Sequence, residues 1–158
     1  MKKYIALTVF LALSAFGYAQ SDSAANYPFL TSPGYEKMRA ETLKVNLPKV
    51  LVVMASFEGC GPCKMAKTKF LPEVKKSISS YANVEFYVLD IMEDKEPNSE
   101  GKFLGERWNL GTRYPVFLVV DMLADSNDEV KYRHVYMDSD NGRRDLLKGI
   151  MDAVKRFK

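Results

Sequence analysis

Residues 50–64, with the sequence VLVVMASFEGCGPCK, decide the fold of this chain. The eight residues from Val50 to Phe57 are almost all apolar and rich in β-branched valine. So short a run without apolar–polar alternation favours a strand that is covered on both faces. Two cysteines follow in a Gly- and Pro-containing turn, and the residues from Lys64 to Tyr81 favour a helix, which Pro72 must kink or divide near Phe70. The stretch therefore predicts a buried strand, a tight turn and a helix.

Strands and helices alternate along the rest of the chain. Two further apolar runs, Val84 to Asp90 and Val116 to Asp121, predict buried strands. The other predicted elements are a helix from Tyr35 to Val45, a polar loop from Met92 to Gly101, a short helix with Phe103, Leu104 and Trp108, a turn from Leu123 to Glu129, a return strand from Val130 to Asp138, and a last helix that Asp138 to Asn141 can cap. Strand–helix–strand units form parallel sheets, and the late hairpin adds an antiparallel part. We expect one α/β domain, residues 35–158, with a central mixed sheet and helices on both faces.

The N-terminus differs in composition from the remainder. Two lysines precede an apolar run from Ile5 to Phe16, and the small residues Gly17 and Ala19 occupy the −3 and −1 positions of a cleavage site. This layout is typical of a secretory signal peptide, and the run is shorter than a membrane span, which disfavours a retained anchor helix. We interpret residues 1–20 as a signal peptide and residues 21–34 as a flexible leader. The protein is therefore expected to be exported, to the periplasm or the exterior of a bacterial cell.

The charges of the chain are nearly balanced. There are 23 Lys and Arg residues against 20 Asp and Glu residues, which gives a formal net charge of +3. Removal of the signal peptide would take away two lysines and bring the charge closer to zero. Because the signs are also interspersed, nucleic acid and an anionic membrane surface are disfavoured as partners. We expect a monomer that binds no nucleic acid.

Cys60 and Cys63 are the only cysteines in the sequence. A disulfide between residues so close in sequence stabilises a fold by only about 2 kcal/mol, so a structural role is disfavoured. At the start of a helix, the dipole and the unpaired N–H groups favour a thiolate, and Lys64 adds a nearby positive charge. Pro62 fits the first helical turn, where its missing N–H costs nothing. We interpret Cys60 as the exposed attacking thiol and Cys63 as the less accessible thiol that resolves a mixed disulfide.

Two segments resemble motifs of the thioredoxin family. Phe57 to Met65 looks like its active-site segment, including the Cys-Gly-Pro-Cys-Lys core, and Thr112 to Leu118 is similar to its cis-proline segment. The resemblance covers roughly residues 49–158, and the long helix and the exported context look more like the secreted bacterial members. It implies that Pro115 is cis and packs beside the two sulfurs; the alternative is an ordinary proline at the start of a strand. It also implies that the groove around Cys60 and Cys63 is supported by Gly61, Pro62, Lys64, Tyr114 and Pro115.

Two positions depart from the family pattern. Gly59 precedes the first cysteine, where the family usually has Trp, so a flat apolar contact beside the sulfur is missing. Met54 lies six residues before Cys60, where the family often buries an acid that accepts the proton of the second cysteine. Without that carboxylate, deprotonation of Cys63 must use water or another group. Glu58 is nearby, but on a loop it is better interpreted as a surface charge.

The resemblance and the cysteine pair together predict a thiol–disulfide oxidoreductase that acts on protein disulfides without a bound cofactor. Gly61 and Pro62 match the reducing members, so we expect a reductase that is reduced again by a membrane redox partner. Two alternatives stay open: a non-enzymatic binding module with this fold, and a copper-binding or copper-delivery protein that uses the same cysteines.

Copper binding would need a further ligand, and the candidates are His134 and the methionines 54, 65, 122 and 137. The methionines are better interpreted as core residues and His134 as a surface or hydrogen-bonded residue. We therefore predict no metal site. Trp108 is predicted in the core, and the acids between Asp90 and Glu96 are predicted in a solvated loop.

Overall fold

The apolar run that begins at Val50 forms strand β1 (Val50–Ser56), in which every residue is buried. The structure is a computed structural model that describes residues 30–93, 96–125 and 128–157. The other elements, in chain order, are α1 (Ser32–Val45) before β1, then α2 (Gly61–Met65), a π-helical turn (Ala66–Phe70), α3 (Leu71–Ser77), β2 (Val84–Asp90), β3 (Met92–Glu93), β4 (Glu96–Pro97), α4 (Ser99–Trp108), β5 (Val116–Asp121), β6 (Val130–Val135) and α5 (Asp140–Lys155). In these described ranges, no helix is both long and apolar enough to cross a membrane.

Four strands form a mixed sheet in the order β2-β1-β5-β6, which confirms the predicted sheet. β1 is parallel to β2, whereas β5 is antiparallel to both β1 and β6. The register pairs Ser56 with Asp90 and Ala55 with Val116. The carboxyl ends of β1 and β2 and the start of β5 therefore lie together at one edge of the sheet.

Helices cover both faces of the sheet, which explains the lack of alternation in β1. Val52 and Met54 pack in a cluster with residues of the π-helical turn, α3 and α5. Leu51 and Val53 pack on the other face, in a cluster with residues of α1 and α4. The predicted α/β class with helices on both faces is confirmed.

The first helix begins three residues earlier than predicted, at Ser32. The side chain of Thr31 accepts a hydrogen bond from the N–H of Gly34 at 3.2 Å and caps the helix. Leu30 is buried in the cluster on the face of the sheet that α1 and α4 cover. Residues 30–34, which we predicted to belong to the flexible leader, are therefore part of the domain, while the predicted signal peptide (1–20) and the first part of the leader (21–29) lie outside the described residues.

The helix after the cysteines is interrupted next to Pro72, as predicted. The N–H of Leu71 donates to the C=O of Ala66, five residues earlier, which is the bond of a π-helical turn. Pro72 follows in the first turn of α3, where its missing N–H is tolerated. The helix ends at Ser77 instead of the predicted Tyr81.

Two predicted boundaries in the second half were wrong. The predicted loop from 92 to 101 contains the short antiparallel β3–β4 pair and the start of α4. The side chain of Asn98 caps α4 by accepting from the N–H of Gly101 at 2.7 Å, so the helix begins before its apolar residues. β6 ends at Val135 instead of Asp138. Ser139, which lies in the predicted capping segment from Asp138 to Asn141, caps α5, so that prediction is confirmed.

Candidate active site

Cys60 and Cys63 form a disulfide immediately after the loop that follows β1, with their Cα atoms 5.1 Å apart. Cys60 is the N-cap of α2, and its C=O accepts from the N–H of Lys64 at 3.0 Å. The N–H of Cys63 donates to the sulfur of Cys60 at 3.1 Å. The sulfur of Cys60 therefore occupies the position in which a capping side chain satisfies the first N–H groups of a helix.

The two cysteines differ in exposure. Cys63 is only 1% exposed and lies in the cluster between the sheet and α5, whereas Cys60 is partly exposed at the edge of that cluster. Gly61, Pro62 and Lys64 are exposed around the pair. An external reagent can thus reach Cys60 but not Cys63, as the sequence predicts.

Pro115 is buried and its bond to Tyr114 is cis, as the resemblance implies. Because the next residue, Val116, pairs with Ala55, Pro115 lies at the edge of the sheet from which the cysteine loop emerges. The C=O of Pro115 accepts from the N–H of Tyr136 at 3.0 Å, which fixes the cis-proline segment to the end of β6. β5 and β1 thus bring the two sequence motifs to one end of the sheet.

Gly59 has a φ of +81°, which L residues with a side chain rarely adopt. This conformation gives a physical reason why the position before Cys60 holds glycine instead of Trp. The aromatic surface near the disulfide comes from other residues: the rings of Phe57 and Tyr114 pack edge to face, with centroids 5.7 Å apart. Sequence analysis missed this pair because the two residues are far apart in the chain.

The Tyr114 side chain is held in place at both ends. Its hydroxyl donates to the C=O of Gly111 at 2.8 Å, and its ring packs against the cores on both faces of the sheet. Burial raises the pKa of Tyr114, and the charge of Arg133 opposes that change. Tyr114 is therefore a fixed, neutral aromatic wall of the site at physiological pH.

Met54 is fully buried in the same apolar cluster as Cys63, as we predicted. Its strand neighbours are Val88 and Phe117, so no carboxylate flanks it in the sheet. Asp90 pairs with Ser56 at the carboxyl end of β2, and one of its carboxylate oxygens is buried without a hydrogen-bond partner among the described residues. The predicted end of the strand at Asp90 is confirmed, but the expectation that its carboxylate is solvated with the acids that follow was wrong, because one of its oxygens is buried.

The residues named for a copper site differ in their surroundings. Across the described ranges, no group of three or more His, Cys, Asp or Glu residues is placed to hold a metal ion. Met54 and Met122 are core residues, but Met137 is 58% exposed, so the prediction of a core position was wrong for it. His134 is half-buried and stacks on Tyr132 with ring centroids 6.1 Å apart. Its Nε2 is buried without a hydrogen-bond partner in the part of the chain that the structure describes, so no hydrogen bond of this nitrogen supports the interpretation of His134 as a hydrogen-bonded residue.

Glu129, predicted in a polar turn, is 1% exposed. It accepts from the Tyr35 hydroxyl at 2.7 Å, the Trp108 indole N–H at 2.6 Å and the Arg107 Nε at 2.5 Å. Burial alone would raise the pKa of Glu129, but these hydrogen bonds and the charge of Arg107 outweigh it and lower the pKa. Because Val130 pairs with Val120, the cluster lies at the end of the sheet remote from Cys60 and joins α1, α4 and β6.

The architecture matches solved thioredoxin structures. A thioredoxin of Fasciola hepatica has a TM-score of 0.52 and 19% identity, over 84% of this chain and 100% of that one. The germline-specific thioredoxin Deadhead of Drosophila melanogaster has a TM-score of 0.54 and 17% identity, over 80% and 98% of the two chains. Mitochondrial thioredoxin 3 of Saccharomyces cerevisiae, in its oxidised form, has a TM-score of 0.50 and 23% identity, over 80% and 94%. No family model and no curated protein matches the sequence significantly. At these identities the similarity establishes the thioredoxin fold.

Proposed function

From a thioredoxin fold that carries a disulfide at a helix N-terminus, we propose that this chain is a thiol–disulfide oxidoreductase acting on protein disulfides through Cys60 and Cys63. The observation that carries the proposal is the asymmetry of the pair. Cys60 is partly exposed and its sulfur accepts an N–H at 3.1 Å, while Cys63 is 1% exposed. One sulfur is thus accessible and stabilised as an anion, and the other is held within bonding distance.

The reaction follows from this arrangement. In the reduced protein, the Cys60 thiolate attacks one sulfur of a substrate disulfide, the substrate S–S bond breaks, and the departing substrate thiolate takes up a proton. Cys63 then loses its proton and attacks the sulfur of Cys60. The mixed disulfide breaks, the second substrate thiol leaves, and the Cys60–Cys63 disulfide forms. Two electrons have passed from the protein dithiol to the substrate.

Catalysed reduction of insulin by dithiothreitol tests the proposal. We expect turnover by the wild type and none by Cys60→Ser or Cys63→Ser. Met137→Ser is the matched control, because it removes an exposed sulfur near the end of β6 and leaves the cysteine pair intact. A folded wild type without turnover would refute the proposal and favour the non-enzymatic binding module.

We propose further that the protein works as a reductase. Gly61 and Pro62 between the cysteines support this direction, because they match the reducing members of the family that the segment resembles. Equilibration with glutathione gives the reduction potential. A value near about −270 mV fits a reductase, and a value near about −120 mV would instead indicate an oxidant.

We propose in addition that the protein is exported and that a membrane redox partner reduces it again. The composition of residues 1–20 supports processing by a signal peptidase, and an exported reductase needs a membrane protein to supply electrons. In a bacterial host, we expect the full chain to yield a periplasmic monomer whose N-terminus lies at Gln20 or Ser21. A cytoplasmic product that retains Met1 would refute this part of the proposal without affecting the chemistry.

A further inference from the structure

We propose that Asp90 takes up the proton that Cys63 loses when it resolves the mixed disulfide, by way of a water molecule. This role rests on the proposed function and adds to it the group that receives the proton. The resolving step needs such a group, because the Cys63 thiol must become a thiolate before it attacks Cys60. Met54, in the same apolar cluster as Cys63, has a thioether that cannot receive the proton.

Asp90 is the last residue of β2 and lies on the face of the sheet that Cys63 covers. Side chains alternate between the two faces along a strand. Val88 packs in the cluster that contains Cys63, whereas Leu89 packs on the opposite face, so Asp90 shares the face of Val88. Because Val88 pairs with Met54, Asp90 stands two residues closer to the edge from which the cysteine loop emerges.

One carboxylate oxygen of Asp90, Oδ1, is available to accept a proton. It is buried and has no hydrogen-bond partner among residues 30–93, 96–125 and 128–157. Two polar side chains at this edge donate to main-chain atoms instead: the Ser56 hydroxyl to the C=O of Leu89 at 3.4 Å, and the Asn98 amide to the C=O of Asp90 at 3.0 Å. A buried carboxylate oxygen without a donor is costly, and a proton or a hydrogen bond from water relieves that cost. Since Asp90 as a whole is half-buried, water can reach its carboxylate.

Other candidate acceptors fit the step less well. In the described ranges, the hydroxyl of Tyr136 and the Nε2 of His134 are also buried without a hydrogen-bond partner. Burial raises the pKa of Tyr136, so its side chain is a neutral phenol near neutral pH and does not act as a base. His134 can take a proton, but it lies on β6, which β5 separates from β1. Glu58 is exposed on the cysteine loop, whereas Asp90 is on the strand next to β1.

The proposed step balances in atoms and electrons. A water molecule relays the proton from the sulfur of Cys63 to the carboxylate of Asp90. The Cys63 thiolate attacks the sulfur of Cys60, the bond between Cys60 and the substrate sulfur breaks, and the substrate leaves as a thiolate with the electron pair of that bond. Asp90 then passes its proton to this thiolate or to the solvent. The carboxylate is regenerated, and no electrons pass through it.

An internal acceptor changes how the resolving step depends on pH. If the proton goes to the solvent, the reactive thiolate fraction rises about tenfold per pH unit below the pKa of the thiol. If the proton stays on a carboxylate of the same protein, the reactive form has the same number of protons as the resting form, and its fraction does not change with pH between the two pKa values. We therefore expect the wild-type rate of release to change by less than about threefold between about pH 6 and about pH 7.5.

Stopped-flow absorbance with dithiobis(nitrobenzoate) separates the two attacks. The reduced protein releases one thionitrobenzoate when Cys60 attacks the reagent and a second when Cys63 resolves the mixed disulfide. At about pH 7, Asp90→Asn should slow the second release by at least about tenfold, less than a full general-base contribution because the solvent remains as a parallel acceptor. In this variant the second release should also rise about tenfold per pH unit.

Three control variants separate proton uptake from a change in charge or packing. Glu58→Gln removes an exposed negative charge from the cysteine loop, and His134→Gln removes the rival base. Both should keep the rate and the flat pH profile of the second release. Asp90→Glu retains a carboxylate and should keep the flat profile. The first release should change no more in Asp90→Asn than in Glu58→Gln.

The titration of Cys63 gives a second readout that does not depend on kinetics. In a Cys60→Ser protein, thiolate absorbance against pH reports Cys63 alone. Adding Asp90→Asn should lower the midpoint more than adding Glu58→Gln does, because a nearby carboxylate disfavours a second negative charge. Equal midpoints in the two double variants would mean that Asp90 is too far from Cys63 to receive its proton.

The outcomes distinguish the role of Asp90 from the proposed function. A folded Asp90→Asn variant with the rate and profile of the wild type overturns the role of Asp90 alone. So does a wild-type second release that rises about tenfold per pH unit, a result for which no variant has to fold. Loss of the flat profile in His134→Gln but not in Asp90→Asn would assign the proton to His134 and overturn the proposal. Failure of the wild type to release the second thionitrobenzoate overturns the proposed function, and the role of Asp90 falls with it.

Discussion

The backbone N–H of Cys63 points at the sulfur of Cys60 and lies 3.1 Å from it. This donor comes from the chain itself, so it remains when the disulfide is reduced. A charged Cys60 sulfur would gain both this hydrogen bond and the field of a helical segment that continues to Ser77. Cys63 is surrounded by apolar side chains instead, where a charge would be costly. Because of this difference, we assign the first attack on the substrate to Cys60 and the later, resolving attack to Cys63.

We predict that the pKa of Cys60 in the reduced protein lies below the ordinary cysteine value of about 8.5. Ultraviolet absorbance of the thiolate against pH measures it, with Cys63→Ser used so that a single thiol titrates. Cys60→Ser is the matched control, and its remaining thiol should titrate above the ordinary value because of burial. A Cys60 midpoint at or above about 8.5 would contradict the prediction.

We predict that Cys63→Ser accumulates a mixed disulfide with a protein substrate and that Cys60→Ser does not. Without Cys63, no internal thiol can release the substrate, and Cys63 alone is too buried to attack one. Non-reducing electrophoresis followed by mass spectrometry identifies the bonded cysteine. Trapping through Cys63 would reverse the assigned roles.

The central part of the fold could be predicted because its signals are local. β1, β2 and β5 are continuous apolar runs, and their observed bounds agree with the predicted ones to within a residue. The cysteine pair and Pro115 were found in the same way, since both lie in short motifs. Such features depend on neighbours in the sequence, and sequence analysis detects them.

The missed features depend on contacts between distant segments. Phe57 and Tyr114 meet only because β1 and β5 are antiparallel neighbours. Glu129 is buried only because Tyr35 and Arg107, from two other helices, bring donors to it. A single Glu beside a strand gives no local sign of this, and a polar turn was the reasonable prediction.

We predict that Gly59→Ala lowers the free energy of unfolding by about 1 kcal/mol. A left-handed conformation costs an L residue about 1–2 kcal/mol, but alanine also reduces the conformational entropy of the unfolded chain, which offsets part of that cost. Gly61→Ala is the matched control: it is helical, a Cβ there meets no atom within 4 Å, and its stability should be equal or higher. Urea denaturation of the oxidised proteins gives both values. Equal destabilisation by the two variants would mean that the conformation of Gly59 is not the cause.

We predict that Met54→Asp is less stable than the wild type but releases its mixed disulfide faster near neutral pH. A thioether cannot accept the proton of Cys63, whereas a carboxylate with a pKa raised by burial can. The buried polar group should cost about 1–3 kcal/mol of stability. Met54→Asn is the matched control, because it has a similar shape and polarity but no base. Stopped-flow release rates that are equal in folded Met54→Asp and wild type would assign Met54 to core packing alone.

We predict that Glu129→Gln lowers the free energy of unfolding at about pH 7 by about 3 kcal/mol, the lower part of the range for loss of one partner of a buried ion pair. We expect a value at the lower end of that range because Arg107 would remain paired with Glu36, whose Oε1 lies 2.8 Å from a guanidinium nitrogen of Arg107. Since folding lowers the pKa of Glu129, its ionised form stabilises the fold above the unfolded value of about 4.3, and this contribution is lost as the pH falls through the folded pKa.

The difference in stability between wild type and Glu129→Gln should therefore shrink as the pH falls below the unfolded-state value of about 4.3, and it should be smallest below the lowered folded-state pKa, where the wild-type carboxyl is protonated and resembles the amide. Urea denaturation at a series of pH values measures the difference. Glu36→Gln is the matched control: it removes the other, exposed partner of Arg107 and should change stability by no more than about 1 kcal/mol. A wild-type advantage that stays constant on acidification would mean that the Glu129 side chain stabilises the fold through its shape and hydrogen bonds, and not through its charge.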